Sequence, residues 1–264
     1  MPYPFSLIEV FNDSTQNLKG NTSTVVWLEA SLNDEAMQAI AADFNQPATT
    51  FLWPAEDASA FHVRWFAPDA EIGLCGHGSL AAVAFLAEEK NVTEEVTLLF
   101  RDGKLSGKKT DDQSCNIRLD AIPVTGEEAV SEVLKAGLGV KVKAHFRTNN
   151  KNIVLLEDEE TLKNMRPDFA KLRESEIFGY AVTAPGDQVD FVSRTIVPHV
   201  QQLEDHATGS SHAALTPFWA ERLNKNQMQA LQLSRRGGRF VCSLEGDQVT
   251  LEGKFSVLAR GVWQ

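Results

Sequence analysis

Apolar and polar positions change period several times along these 264 residues. Partial alternation in FSLIEVF (5–11) predicts a first strand. NLKGNTSTVVWL (17–28) passes a Gly-Asn turn into the β-branched strand TVVWL. Asn33 or Asp34 can cap a helix over DEAMQAIAADF, whose Met37, Ile40, Ala41 and Phe44 recur at helical spacing. ATTFLW (48–53) and AFHVRWFAP (60–68) read as strands, the second ended by Pro68. A Gly-rich turn and an apolar helix, GSLAAVAFLAEE, follow. VTLLF (96–100), LSGKKT and CNIRLD (115–120) form a strand meander. GEEAVSEVLKAGLG (126–139) predicts a helix stopped at glycine. AHFRTNN, KNIVLLE, FGYAVTAP and VDFVSRTIVP supply further strands. LKNMRPDFAKLRES (162–175) reads as a helix with Pro167 in its first turn. A second Gly-turn helix precedes a last meander, RFVCSLEGDQVTLEGKFSVLARGVW.

Two of these stretches say nearly the same thing. WFAPDAEIGLCGHGSLAAVAFL (65–86) and PHVQQLEDHATGSSHAALTPFWA (198–220) each carry a proline, an acidic loop, a Gly-turn and an alanine-rich helix. The match aligns Cys75 with Thr208, Gly76 with Gly209, His77 with Ser210 and Ala81 with Ala214. Neither helix is charged in its first turns, which suits a helix enclosed by sheet. The expectation is an α+β fold of two similar halves, each a curved sheet around one core helix. AIPVTG (121–126) is the candidate boundary. That gives a first half of residues 1–120, with a strand near 255–264 as a candidate to return to it, and a second half of 121–254. A helix N-terminus has open N–H donors and partial positive charge, so two facing one cleft would clamp a carboxylate.

Composition narrows the partners. A net charge of −11 argues against nucleic acid or an anionic membrane surface. No apolar run approaches the ~18 residues of a membrane span. The opening MPYPFSLIEVF has no basic segment, so no secretory leader is expected. Three cysteines without a CxxC pair fit free thiols in a reducing cytoplasm and no zinc framework.

His77, between two glycines at a helix start, is biased towards the neutral form and can relay a proton; the plain alternative is a turn cap. Asp205 precedes the second Gly-turn, which makes acid/base work plausible against a solvated acidic loop. Gly76, Gly78 and Ser79 in the first turn, and Thr208, Gly209, Ser210 and Ser211 in the second, offer donors for a carboxylate; capping needs the same residues. Cys75 is a candidate reactive thiol, or a small buried residue in a tight turn. His206 and His212 have poor metal spacing. SRRGGR (234–239) is a Gly-Gly turn before a strand rather than a phosphate patch.

KGNTSTVV, VRWFAPDAEIGLCGHGSLAA and SRTIVPHVQQLEDHATGSSHAA resemble the phenazine-biosynthesis PhzF-like family, which has the diaminopimelate-epimerase-like fold. The resemblance runs over nearly the whole chain. It implies two β-barrel-like domains around central helices, an active site between them, a homodimer and no cofactor. It also implies isomerisation of a small carboxylic acid by proton movement, with His77, Asp205 and Ser210 as catalytic residues. One departure matters. Where the family has Asn-x-Ser-Glu-Thr-x-Phe, this chain reads Asn45-Gln46-Pro47-Ala48-Thr49-Thr50-Phe51, so Ala48 stands at the position of the general acid/base. SRRGGRF likewise lacks the family's Gln-Gly. The rival expectation is therefore a non-catalytic protein that binds small carboxylates.

Overall fold

The computed structural model describes residues 2–264. The chain forms two compact units. One runs to Leu119 and takes in Thr250–Gln264; the other is Asp120–Val249.

The first unit holds β1 (Tyr3–Asn12), β2 (Asn21–Trp27), α1 (Asp34–Phe44), β3 (Ala48–Pro54), β4 (Ala60–Phe66) and β5 (Glu71–Ile72). It continues with α2 (Gly76–Lys90), β6 (Val96–Phe100), β7 (Gly103–Asp111) and β8 (Ser114–Asp120). The second holds β9 (Val124–Glu128), α3 (Glu132–Leu138), β10 (Ala144–Thr148), β11 (Asn152–Leu155), α4 (Glu159–Asn164) and α5 (Phe169–Leu172). It continues with β12 (Tyr180–Pro185), β13 (Phe191–Ile196), β14 (Glu204–Asp205), α6 (Gly209–Leu223), β15 (Gln227–Gln232) and β16 (Gly238–Glu245). The last strand, β17 (Gln248–Trp263), begins in the second unit and ends in the first.

Pairing in the first unit runs β1–β2 antiparallel, β2–β3 parallel, β3–β4 antiparallel, β4–β6 parallel, then β6–β7 and β7–β8 antiparallel. β17 pairs with both β8 and β1, which closes an eight-stranded barrel and removes its edges. Helix α2 is buried from Gly76 to Ala87 and packs on β1, β2, β3 and β7. An alanine-rich helix apolar on every side fits inside a barrel where a bulkier one would not. Helix α1 lies on the other face of the sheet, where Met37, Ile40 and Ala41 pack with Val26, Phe51 and Phe66. Alternation along β3 therefore turns Phe51 to α1, and Ala48 and Thr50 to α2.

The second unit repeats the sequence of pairings. β10–β11 is antiparallel, β11–β12 parallel, β12–β13 antiparallel, β13–β15 parallel and β15–β16 antiparallel, with β9 beside β10. Helix α6 packs on β12, β15 and β16, while α3, α4 and α5 cover the opposite face through Leu134, Leu138, Leu162 and Leu172. Pro217 inside α6 has no N–H to offer the Ala213 carbonyl, and the Ile122 amide takes that acceptor at 3.0 Å.

Three expectations change. Val124–Glu128 is a strand, not the start of a helix, because it pairs with β10; the helix waits for Ser131, whose Oγ accepts from the Leu134 amide at 3.1 Å. The single helix over 162–175 is two, split around Pro167. Proline disfavours helical backbone at Arg166, and Asp158 and Asp168 cap two separate short starts. The strand Gln227–Gln232 went unforeseen, because QMQALQ has no β-branched residue and its pairing with β13 and β16 supplies the structure. Asn33, rather than Asp34, caps α1, its Oδ1 accepting from the Ala36 amide at 2.8 Å.

Candidate functional site

In the first unit the turn after β5 delivers Cys75 as the N-cap of α2. The Cys75 Sγ accepts from the Gly78 amide at 3.4 Å and lies 3.5 Å from His77 Nδ1 and 3.7 Å from its Nε2. His77 is thus a buried second residue of a helix with a thiol against its ring. Ser79 spends both its donors inside the turn: amide and hydroxyl reach the Cys75 carbonyl at 2.9 and 2.8 Å. Gly78 is committed as well. A Cβ there would sit 2.5 Å from Trp65 Cδ1 and 2.9 Å from Thr50 Oγ1, so the glycine is what lets the helix start reach the barrel wall. Of the expected carboxylate donors in this turn, Gly78 and Ser79 are therefore occupied, and the Gly76 amide is the one with no acceptor among the described residues.

Ala48 lies on the same face of β3 as Thr50, whose hydroxyl reaches the Gly78 carbonyl at 3.4 Å. It is fully buried and stands opposite Ser23, whose Oγ is 3.1 Å from the Ala48 carbonyl and 2.7 Å from Thr50 Oγ1. The methyl thus sits among hydroxyls on the barrel's inner face, near the start of α2.

In the second unit Thr208 takes the place of Cys75, with a different use. Its side chain does not cap α6. Its hydroxyl donates to Asp205 Oδ2 at 2.7 Å, and its amide donates to Gln232 Oε1 at 2.8 Å. Thr208 is therefore a holder of Asp205, not an open carboxylate donor. The His206 amide donates to Asp205 Oδ1 at 2.9 Å, and Gln232 Nε2 donates to the Asp205 carbonyl at 2.6 Å. Asp205, half-buried on β14, is fixed from several sides. The Ser211 hydroxyl accepts from Thr195 Oγ1 at 2.9 Å, and the Ser210 hydroxyl accepts from Lys151 Nζ at 2.9 Å. The amides of Gly209, Ser210 and Ser211 have no acceptor among the described residues, as first-turn donors of an uncapped helix must.

Two residues went unread in the sequence. Gln232 lies on the unforeseen β15, and Lys151 is one lysine in the polar turn NNKN. The one available signal for Lys151 is its place just before β11, where the matching position before β2 is Gly20.

His212 is fully buried, with Nδ1 2.9 Å from the Thr208 carbonyl and its ring stacked on Phe240 at 3.7 Å. Burial pulls its pKa down to about 4, so it stays neutral and structural at pH 7. Burial also lowers the pKa of His206, against an opposing pull from Asp205. Among the described residues no group of His, Cys, Asp and Glu is arranged to hold a metal ion. SRRGGR forms a turn in which Ser234 Oγ accepts from the Gly237 amide at 3.1 Å and donates to the His206 carbonyl at 2.6 Å. Among the described residues no helix is long and apolar enough to cross a membrane.

Comparison with known proteins gives a consistent picture. A family model described as phenazine biosynthesis-like protein matches residues 8–261. An uncharacterized isomerase of Pseudomonas aeruginosa is 38% identical over 263 residues, covering 99% of this chain and 98% of its own. A mouse phenazine biosynthesis-like domain-containing protein is 33% identical over 289 residues, covering 99% of each chain. The crystal structure of a PhzF-family protein from Enterococcus faecalis superposes with a TM-score of 0.91 at 32% identity, over 100% of both chains. A hydroxyproline epimerase from Agrobacterium vitis, with bound trans-4-hydroxy-L-proline, shares the fold at TM-score 0.67 and 11% identity, covering 99% of this chain and 92% of its own.

Proposed function

Since this chain belongs to the phenazine biosynthesis-like family, whose fold is that of isomerases and epimerases, we propose that it is a cofactor-independent isomerase that moves a proton on a small carboxylic acid. The observation that carries the reading is the start of α6. There, three adjacent first-turn amides without acceptors lie beside a carboxylate, Asp205, that Thr208 and the His206 amide hold in place. Open amides at a helix N-terminus suit a substrate carboxylate and the negative charge that develops when an adjacent C–H proton leaves. A carboxylate fixed by neighbouring donors suits the transfer of that proton. In the first unit the Gly76 amide and the His77 imidazole offer the corresponding pair, donor and proton relay.

Ala48 favours a second reading. A methyl stands where the family resemblance places the acid/base, and losing such a group typically costs ~10²–10⁴ in rate. Either Asp205 and His77 carry the proton, or the chain binds carboxylates without turning them over. Deuterium uptake separates the two. A panel of small unsaturated acids is incubated with the protein in D₂O and read by NMR. Wild type is expected to exchange at least one acid, and Asp205→Asn to slow that exchange by ~10² or more. No exchange by folded wild type, with binding retained, would leave the binding protein standing. Exchange that survives both Asp205→Asn and His77→Ala would show that other groups move the proton.

A further inference from the structure

The first turn of α6 carries two serines whose hydroxyls are used differently. Ser211 accepts from a neutral hydroxyl, that of Thr195. Ser210 accepts from the ammonium of Lys151 at 2.9 Å, and both residues are buried, at 5% and 7% exposure. The lysine is held there by its turn. Its Nζ also donates to Asn150 Oδ1 at 2.8 Å, and Thr148 Oγ1 accepts from the Asn150 amide at 3.0 Å and donates to the Lys151 carbonyl at 2.9 Å. Asn152 Oδ1 accepts from the Thr148 amide at 3.3 Å and closes the loop.

An ammonium has donors and no acceptor, so in this contact the Ser210 oxygen must be the acceptor. The Ser210 proton is then excluded from the Lys151 side and turns towards another acceptor. A hydroxyl that accepts from a cation is also the stronger donor, because hydrogen bonds in a chain polarise one another. The geometry points to Lys151 as a positioning residue. It fixes and strengthens the Ser210 hydroxyl as a donor to the anionic group of the substrate, the carboxylate or the oxyanion that forms from it. The inference rests on the proposed carboxylate reading. It adds an asymmetry, since the matching position in the first unit is Gly20 and the matching residue to Ser210 is His77.

The test uses the whole chain and three probes: sorbate as a small unsaturated carboxylate, sorbamide as its neutral analogue, and inorganic sulfate. Dissociation constants are measured by calorimetry for wild type, Lys151→Met, Lys151→Arg, Ser210→Ala and the Lys151→Met/Ser210→Ala double variant. Sorbate binding is expected to weaken tenfold to a hundredfold in Lys151→Met and in Ser210→Ala, with the double variant no weaker than either single one. Lys151→Arg should stay within about threefold of wild type, and sorbamide should not distinguish the variants. Unchanged affinity in Lys151→Met, additive losses in the double variant, or a loss in Lys151→Arg as large as in Lys151→Met would each overturn the assignment. Wild type that binds sulfate through Lys151 but ignores sorbate would overturn the carboxylate reading and keep the Lys151–Ser210 pair. Binding of neither anion would overturn both.

Discussion

His212 gives the most direct numerical check on how the second unit is built. Its ring is enclosed by α6, Phe191 and Phe240, and its Nδ1 meets the Thr208 carbonyl. Burial lowers its folded pKa from 6.5 to about 4. In the unfolded chain the imidazole binds a proton near pH 6.5; in the folded chain it does not until about pH 4. The unfolded state therefore takes up more protons as pH falls between these values, and stability is lost across that window. Above pH 6.5 the group costs nothing. Linkage puts the loss at about 2 kcal/mol by pH 5 and about 3 kcal/mol below pH 4. His145 and His206, whose pKa values burial also lowers, act in the same direction. His212→Phe removes only the first contribution, so the difference between the two proteins isolates it. Two units can unfold separately, so the probe must belong to the second one. Trp219, on α6 with its Nε1 2.9 Å from Thr183 Oγ1, supplies it. Fluorine NMR of 5-fluorotryptophan-labelled protein through urea titrations at pH 7 and pH 5 gives the stability of that unit. Wild type is expected to lose about 2 kcal/mol more than His212→Phe between the two conditions. Equal losses would show that His212 protonates in place and that the enclosure is wrong.

Gly78→Ala is expected to lower the melting temperature. Pushing a methyl against Trp65 and Thr50 costs roughly 1–3 kcal/mol, more than the helix propensity an alanine adds; a rise in melting temperature would refute the close approach. Ala48→Glu puts a carboxyl on a fully buried inner-face position beside Ser23 and Thr50. If Asp205 and His77 carry the native proton transfer, it should slow deuterium exchange through charge repulsion and lost volume, whereas a gain of ~10² would mark a cleft still shaped for a glutamate base. Cys115 and Cys242 are buried free thiols whose pKa values burial pushes up to about 12. Neither should react with iodoacetamide at pH 8 until urea unfolds the chain, and mass spectrometry showing native labelling of either would contradict their burial.

Much of this was legible in the sequence because it rests on local chemistry. The two core helices declare themselves through a Gly-turn and an alanine-rich apolar run; the structure ends them at Asn91 and Asn224, with φ of 56° and 49°. The α1 cap and the strands Ala48–Pro54 and Phe191–Ile196 follow from short-range pattern alone. What local pattern cannot carry is pairing. Val124–Glu128 becomes a strand only because β10 lies beside it, and Gln227–Gln232 only because β13 and β16 flank it.

The site divides along the same line. Sequence matching aligns Cys75 with Thr208, and the structure makes both of them N-caps of fifteen-residue helices. Matching cannot say where each side chain spends its hydrogen bonds. The Cys75 sulfur turns inward and occupies the Gly78 amide, closing part of its own helix start. The Thr208 hydroxyl turns outward to Asp205, which leaves the α6 amides open and fixes a carboxylate beside them. One duplicated backbone thus yields a sulfur–imidazole turn in one unit and a carboxylate–hydroxyl–ammonium turn in the other. A symmetric two-thiol exchange would need a second cysteine where Thr208 stands.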